Sequence, residues 1–304
     1  MSKLNESDPK NPLVTAVLVC WNHEPFVQAS IMSALDQTYK NIELIVFDND
    51  SSDNSASIIE ELANQYNFIF IKQQNIGLIK TLNKALQMAK GEYFTMLSTD
   101  DIWLTDKTER QVRYLELNKN VDMLSGDVSC IDDQGQKVNY SHSRTSGPVT
   151  FKELMQNNIT VCGPTVMART SVLLSVGGYD ESVKIEDLSM ALKLAYAGKE
   201  ILHTGEIYTY YRRHDNNWSS QPLYDETYKI GQLYRDTPEY IDFVNHALSG
   251  YFTWLTRHRK MDAMRFLLNE PIKWNYFKIG VRIIKLITPA YMFNFYRHYL
   301  KIND

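Results

Sequence analysis

Two adjacent acids, Asp100 and Asp101, close the apolar run Tyr93-Phe94-Thr95-Met96-Leu97-Ser98-Thr99, and Ile102-Trp103-Leu104 follows at once. Carboxylates at the end of a buried strand are costly unless they cap a helix, pair with a cation or hold a metal. Hard oxygen donors of this kind suit Mg²⁺ or Mn²⁺, which usually keeps substrate phosphates and water as its other ligands. The alternative is an N-cap, a position that Asp favours. A second acid pair, Glu186-Asp187, opens a segment whose apolar positions Leu188, Leu192, Leu194 and Ala195 have helical spacing. Acids in a first turn complement the helix dipole. The chemical alternative is a general base, its pKa raised by the neighbouring carboxylate.

The elements that must position these acids are legible as an alternation. Residues 14–20 and 42–47 are nearly continuous apolar runs, as in strands buried on both faces. Each ends in a polar cluster: Trp21-Asn22-His23-Glu24-Pro25 after the first, and Asp48-Asn49-Asp50-Ser51-Ser52-Asp53-Asn54-Ser55 after the second. The spacing predicts helices over 26–37, through Ile58, Ile59 and Leu62 with Ser52 or Asp53 as cap, and over 78–89 with Gly91 as its stop. Residues 68–72 and 93–97 supply the third and fourth strands. Strand–helix alternation at this spacing argues a doubly wound α/β sheet. Ligands of such sheets bind outside the carboxyl ends of the strands, so the three polar clusters should share one crevice. No G-x-G-x-x-G follows the first strand and no Gly-rich G-K-[ST] loop occurs, which argues against dinucleotide and Walker-type sites. A phosphate ligand would then need a metal, and the Asp pair could supply it.

Further on, the pattern predicts a strand within 120–131, a hairpin-type turn at Asp132-Asp133-Gln134-Gly135 with a return over 136–140, and a loop over 141–149. A helix over 151–156, a strand over 163–168, a Gly177-Gly178 turn and a strand over 208–211 follow. Arg212 and Arg213 after the last strand either neutralise phosphate or merely flank it.

Composition bounds the partners. The chain has 304 residues, 44% hydrophobic and 22% charged, and a net charge of -4 that gives no reason to expect nucleic acid. Cys20, Cys130 and Cys162 are widely spaced and odd in number, favouring a reducing compartment. Residues 1–11 hold no apolar segment of signal-peptide type, and no uncharged apolar run reaches the length of about 18 expected of a spanning helix. Residues 225–304 carry 12 Lys/Arg against 8 Asp/Glu, which leaves the preceding residues at -8. Residues 271–301 hold six basic residues and no acid, interleaved with aromatic and apolar ones. That composition fits helices lying in the interface of an anionic membrane. The alternative is a helical hairpin packed on the rest of the chain or in a dimer, and homo-oligomerisation stays open.

In order and spacing, these motifs resemble the family 2 inverting glycosyltransferases, which use nucleotide-diphosphate sugars on the GT-A fold. The matching pieces are Trp21-Asn22-His23-Glu24, residues 45–55, Asn75-Ile76-Gly77-Leu78 with Asn83, Gly91-Glu92-Tyr93, Ser98-Thr99-Asp100-Asp101, Gly177-Gly178-Tyr179-Asp180-Glu181 and Glu186-Asp187. The resemblance spans about residues 13–215. Two departures stand out: Ser98 replaces the first acid of the D-x-D motif, and Asn49 replaces a second acid after Asp48.

The resemblance implies a GT-A catalytic domain over 13–224, with a nucleotide-binding part (13–101) and an acceptor part (102–224). A flexible N-terminus (1–12) precedes it, and a helical, membrane-associating region (225–304) follows. It implies Mn²⁺ or Mg²⁺ on Asp100 and Asp101, with His214 either completing the metal shell or, protonated, meeting phosphate. Asp48 and Glu24 would accept hydrogen bonds from the base and ribose. Asn22 and Thr99 would join them, Asn75 and Lys80 would approach the phosphates, and Trp21 would stack on the base or lie in the core. Asp187 would be the general base, beside Glu186. The implied donor is a nucleotide-diphosphate sugar, UDP-linked by family precedent. The implied acceptor is a lipid-linked saccharide of capsule, O-antigen or exopolysaccharide synthesis, reached from the cytoplasmic face of the cytoplasmic membrane. A non-catalytic sugar-nucleotide-binding protein at the membrane is the competing reading.

Overall fold

Seven residues with almost no polar character cannot form a half-solvated strand, and β1 (Val14–Cys20) is buried along its whole length. It runs parallel to β2 (Ile42–Asn49) on one side and β4 (Tyr93–Ser98) on the other, and β2 runs parallel to β3 (Ile69–Gln73). The crossovers are α1 (Val27–Leu35), α2 (Ser55–Gln65) and α3 (Leu78–Met88). Ala16, Leu18, Leu44 and Val46 of the sheet pack with Val27 and Ile31 of α1 and Ile59 and Leu62 of α2. Fully burying such a side chain stabilises by about 1.5–3 kcal/mol, so this layer holds the strand ends in place. The computed structural model describes residues 11–138, 146–156, 161–214, 217, 223–259 and 261–262.

After β4 come β5 (Ile102–Trp103), α4 (Lys107–Leu117), β6 (Met123–Ile131), β7 (Gly147–Pro148) and α5 (Phe151–Met155). A 3₁₀ turn (Gly163–Thr165), β8 (Met167–Arg169), α6 (Thr170–Ser175), α7 (Glu186–Tyr196) and β9 (Ile201–Arg212) complete this part. The sheet order is β3-β2-β1-β4-β8-β6-β9-β5, with β7 also on β9. Its long ladders are parallel, including β6 with β9, while β8 runs antiparallel to both β4 and β6. The sheet is thus mixed but mostly parallel.

Several local expectations are corrected. Residues 163–168 are no continuous strand: Pro164 donates no N–H, and a 3₁₀ turn precedes the three residues of β8. Gly147–Pro148, expected in a loop, pairs with β9. The return after the Asp132 turn is a single bridge from Ile131 to Lys137; residues 139–145 lie outside the described ones. Asn54, not Ser52 or Asp53, stands at the start of α2, although Asp53 Oδ1 accepts from the Ser55 N–H at 3.0 Å. Gly91 does not end α3. It lets the chain pass against β1: a Cβ there would collide with the Thr15 amide and lie 2.8 Å from the Tyr93 carbonyl.

The chain divides into two units, residues 1–154 with 158–217, and residues 155–157 with 218–304. In the second, α8 (Tyr224–Gln232) and α9 (Tyr240–His258) approach closely at Gly231, where a Cβ would lie 2.9 Å from the Phe243 ring. Among the described residues no helix is long and apolar enough to cross a membrane. The basic, aromatic segment 271–301 lies outside the described residues.

Candidate active site

Register brings the three polar clusters together. Cys20 pairs with Asp48, and Val19 pairs with both Phe47 and Ser98, so β1, β2 and β4 end at one level. Asp48 is fully buried; its Oδ2 accepts from the Ser51 N–H at 3.1 Å, and its Oδ1 has no hydrogen-bond partner. An unsatisfied buried carboxylate oxygen costs free energy unless a ligand completes it. The loops beside it are strained: Asn22 and Asp50 adopt φ of 57° and 61°. Asn22 holds the arrangement, its N–H on Ser51 Oγ (2.9 Å) and its Oδ1 accepting from the Ser52 N–H (2.8 Å).

Asp100 lies between two imidazoles. Its Oδ2 is 3.3 Å from His214 Nε2, 3.4 Å from Asn217 Nδ2 and 3.9 Å from His23 Nε2, while its Oδ1 is buried with no hydrogen-bond partner. Burial alone would raise its carboxyl, but the His214 hydrogen bond, the nearby His23 and Ser98 outweigh that and hold it below the usual range. Asp101 behaves oppositely: burial, then the Asp100 charge, pushes it well up, and its Oδ1 accepts from the Arg212 N–H at 2.8 Å. Asp101 is therefore turned to the backbone of β9, which counts against it as a second metal ligand. Among the described residues no group of three or more His, Cys, Asp or Glu forms a ready-made metal cage. Asp100 nevertheless fits a divalent ion that takes most of its shell from phosphate and water, because one buried oxygen is unsatisfied.

The other acid pair starts α7. Asp187 Oδ2 accepts from the Gly163 N–H at 3.2 Å and Oδ1 from the Leu188 N–H at 2.6 Å. Burial, then the Asp187 charge, pushes Glu186 up to about 8; burial also raises Asp187, tempered by those two N–H donors. The turn presenting Gly163 is braced on its carbonyls: Trp103 Nε1 and Thr209 Oγ1 donate to Pro164 O, Gln111 Nε2 to Thr165 O and Thr95 Oγ1 to Val166 O. Beneath it Lys107, fully buried and pushed well below its usual pKa by burial, donates to Thr95 Oγ1 and Gln111 Oε1. The cavity that Glu186 and Asp187 share with Met96, Tyr179 and Met190 is about 20 Å³, room for a water but not a sugar. Both acid pairs act electrostatically on Cys162, whose thiol is raised by burial and then by the charges of Asp187, Asp101 and Glu186.

The sequence profile described as glycosyl transferase family 2 matches residues 15–177, more than half of the chain. The chain belongs to glycosyl transferase family 2. An uncharacterized glycosyltransferase of Methanocaldococcus jannaschii is 33% identical over 180 residues, 57% of this chain and 60% of the relative, so the chain spans under two thirds of that protein. The Escherichia coli UDP-Glc:alpha-D-GlcNAc-diphosphoundecaprenol beta-1,3-glucosyltransferase WfaP is 29% identical over 223 residues, 68% of this chain and 80% of WfaP. Among solved structures, S. aureus TarS in complex with UDP-GlcNAc superposes with a TM-score of 0.66 at 19% identity, covering 90% of this chain and 81% of the TarS chain. The fold is GT-A.

Seen as a family 2 site, the expected residues separate into groups. Asp48, Asn22, Thr99, Asp100 and His214 lie on or beside the level strand ends. Trp21 is 55% exposed, which removes the core alternative for it. Glu24 faces the start of α2 instead, both oxygens accepting from Asn54 (3.1 and 2.8 Å). Asn75 is exposed and accepts from the Gly77 N–H, and Lys80 is exposed on α3; both follow β3, one strand beyond Asp48. Arg212 is no phosphate cation. It is buried, donating to the carbonyls of Asp100, Asp132 and Asp133, with Phe26 under its guanidinium at 4.6 Å. Sequence reasoning passed over His23 and the Trp103–Pro164 brace. His23 sits in the same kind of polar cluster after a strand that drew notice to His214, so that signal was present.

Proposed function

We propose that the chain transfers a sugar from a nucleotide-diphosphate sugar, UDP-linked, to an acceptor hydroxyl with inversion, and that the acceptor is a lipid-linked saccharide of a surface polysaccharide. The observation that carries this reading is the pair of buried, unsatisfied carboxylate oxygens, Asp48 Oδ1 at the end of β2 and Asp100 Oδ1 just after β4, the two strands that flank β1. One is suited to accept an N–H or O–H of the nucleoside, the other to hold a cation on its diphosphate. WfaP, whose name records UDP-Glc and a diphosphoundecaprenol-linked acceptor, supports the choice of both substrates.

The residues divide the work. Asp48 and Asn22 hold the nucleoside side, with Trp21 at the rim to stack on the base. Asp100, with His214 hydrogen-bonded to it, would hold Mn²⁺ or Mg²⁺, which as a Lewis acid stabilises the departing diphosphate. Asp187 takes the proton of the acceptor hydroxyl, and Glu186 beside it keeps a proton up to about pH 8 so that the pair need not carry two adjacent charges. The membrane-binding part of the reading, with its cytoplasmic-face location, rests on the basic, aromatic composition of residues 271–301.

The test is a thermal-shift panel of nucleotide sugars with Mn²⁺, followed by a transfer assay with the one that stabilises. A ligand at 100 times its Kd adds about 2.7 kcal/mol, an easily read shift. Stabilisation by UDP-sugars with transfer to a lipid-linked acceptor supports the reading. Stabilisation without any transfer favours the binding-protein alternative.

A further inference from the structure

We propose that His23 is a protein ligand of the divalent ion, sharing it with Asp100, and that the site therefore selects nitrogen-accepting metals such as Mn²⁺ and Co²⁺ over Mg²⁺. This rests on the metal-assisted reading above and adds a ligand to it.

The tautomer of His23 depends on one hydroxyl proton. Thr99 Oγ1 lies 2.8 Å from His23 Nδ1 and 3.4 Å from the Val19 carbonyl, so its single proton can go to Val19 while its oxygen accepts from the ring. In the neutral tautomer with its hydrogen on Nδ1, Nε2 carries a bare lone pair. Nε2 then faces the Asp100 carboxylate, 3.9 Å from its Oδ2, on the group whose Oδ1 has no hydrogen-bond partner. Metal–nitrogen and metal–oxygen bonds of about 2.0–2.2 Å each can bridge a gap of this size. A ligating His normally donates its other ring N–H to an oxygen that fixes its tautomer and orientation, and Thr99 is placed to do that.

The backbone keeps the ring in place. The His23 N–H donates to Ser55 Oγ (3.0 Å), and the His23 carbonyl accepts from Phe26 and Val27 at 2.9 Å. His214 meets the same Asp100 oxygen from another side, its ring 6.4 Å from that of His23 and edge-on to it. Affinity for such a site rises from Mn²⁺ through Fe²⁺ to Co²⁺, and imidazole suits the later metals best, whereas Mg²⁺ favours oxygen alone. A nitrogen ligand also offsets the loss of the usual first acid at Ser98.

The experiment titrates the full-length protein with Co²⁺, with and without UDP, following the visible absorption of the ion; Mn²⁺ and Mg²⁺ affinities are measured in parallel by calorimetry. His23→Ala and His23→Gln should weaken Co²⁺ and Mn²⁺ binding by about tenfold or more, change the cobalt spectrum and hardly affect Mg²⁺. Free imidazole should restore the spectrum of His23→Ala, which a purely structural role would not allow. Circular dichroism checks that both variants fold; if His23→Ala does not, the Gln variant decides. Unchanged Co²⁺ affinity and spectrum in a folded variant remove His23 from the shell while leaving the metal reading intact. A wild-type protein that binds neither Co²⁺ nor Mn²⁺, even with UDP, overturns both.

Discussion

Trp103 Nε1 donates to the Pro164 carbonyl at 2.9 Å, joining the strand just after Asp100 and Asp101 to the turn whose Gly163 N–H holds Asp187. Asp101 and Asp187 are thus linked through three peptide bonds and two hydrogen bonds. Trp103→Phe keeps the ring over Lys107 and removes only the N–H, while Thr209 still serves Pro164. It should cost about 0.5–1.5 kcal/mol in denaturant melts. Turnover should fall with UDP affinity unchanged. A parallel loss of UDP affinity would place the effect on the donor side instead.

Glu186 sets a pH signature. Its folded value of about 8 lies above the ordinary 4.5, so the fold favours its protonated form. The stability tied to that proton is fully present below about pH 4.5 and is lost as pH rises through about 8. Glu186→Gln, a neutral mimic of the protonated side chain, should flatten the melting-temperature profile between those values and keep transfer activity near pH 7. Parallel profiles for the two proteins would contradict the assignment.

Gly91→Ala should destabilise by about 1–3 kcal/mol, because the new Cβ meets backbone of β1 that cannot move aside. Chemical denaturation reads this directly. Gly135→Ala is the comparison: nothing lies within 4 Å, and only the strain of φ 78° remains, about 1–2 kcal/mol.

Asp100→Asn should abolish the strengthening of UDP binding by Mn²⁺, while Asp48→Asn should weaken UDP binding with and without the metal. Calorimetry separates the two. Equal affinity in EDTA and in Mn²⁺ for the wild type would remove the metal from the account.

The first half of the fold was legible because a parallel strand buried on both faces leaves a plain apolar run, and the strand bounds at 14–20 came out unchanged. In the second half β6, α5 and α7 fall where their patterns placed them, but the short strands do not. β7 and β8 have two and three residues and exist because neighbours offer hydrogen bonds, not because their own residues favour a strand. The same limit applies to the site. The acids at strand ends and at the start of α7 are visible as types and positions. Whether an acid is free or occupied depends on distant partners: Asn54 takes Glu24 from 30 residues away, and Arg212 takes Asp101 from 111 residues away. Asp100 meets His214 and Asn217, whereas Asp101 beside it meets the Arg212 N–H.

In the proposed reaction Asp187 is the base of a sugar transfer whose donor is held elsewhere, at the ends of β1, β2 and β4. Asp187→Asn tests it most directly, since the amide keeps the size of the side chain and cannot take the proton. With the nucleotide sugar that stabilises the wild type, turnover should fall about 10² -fold or more while the Kd for UDP stays unchanged. Transfer at the wild-type rate by Asp187→Asn would contradict it.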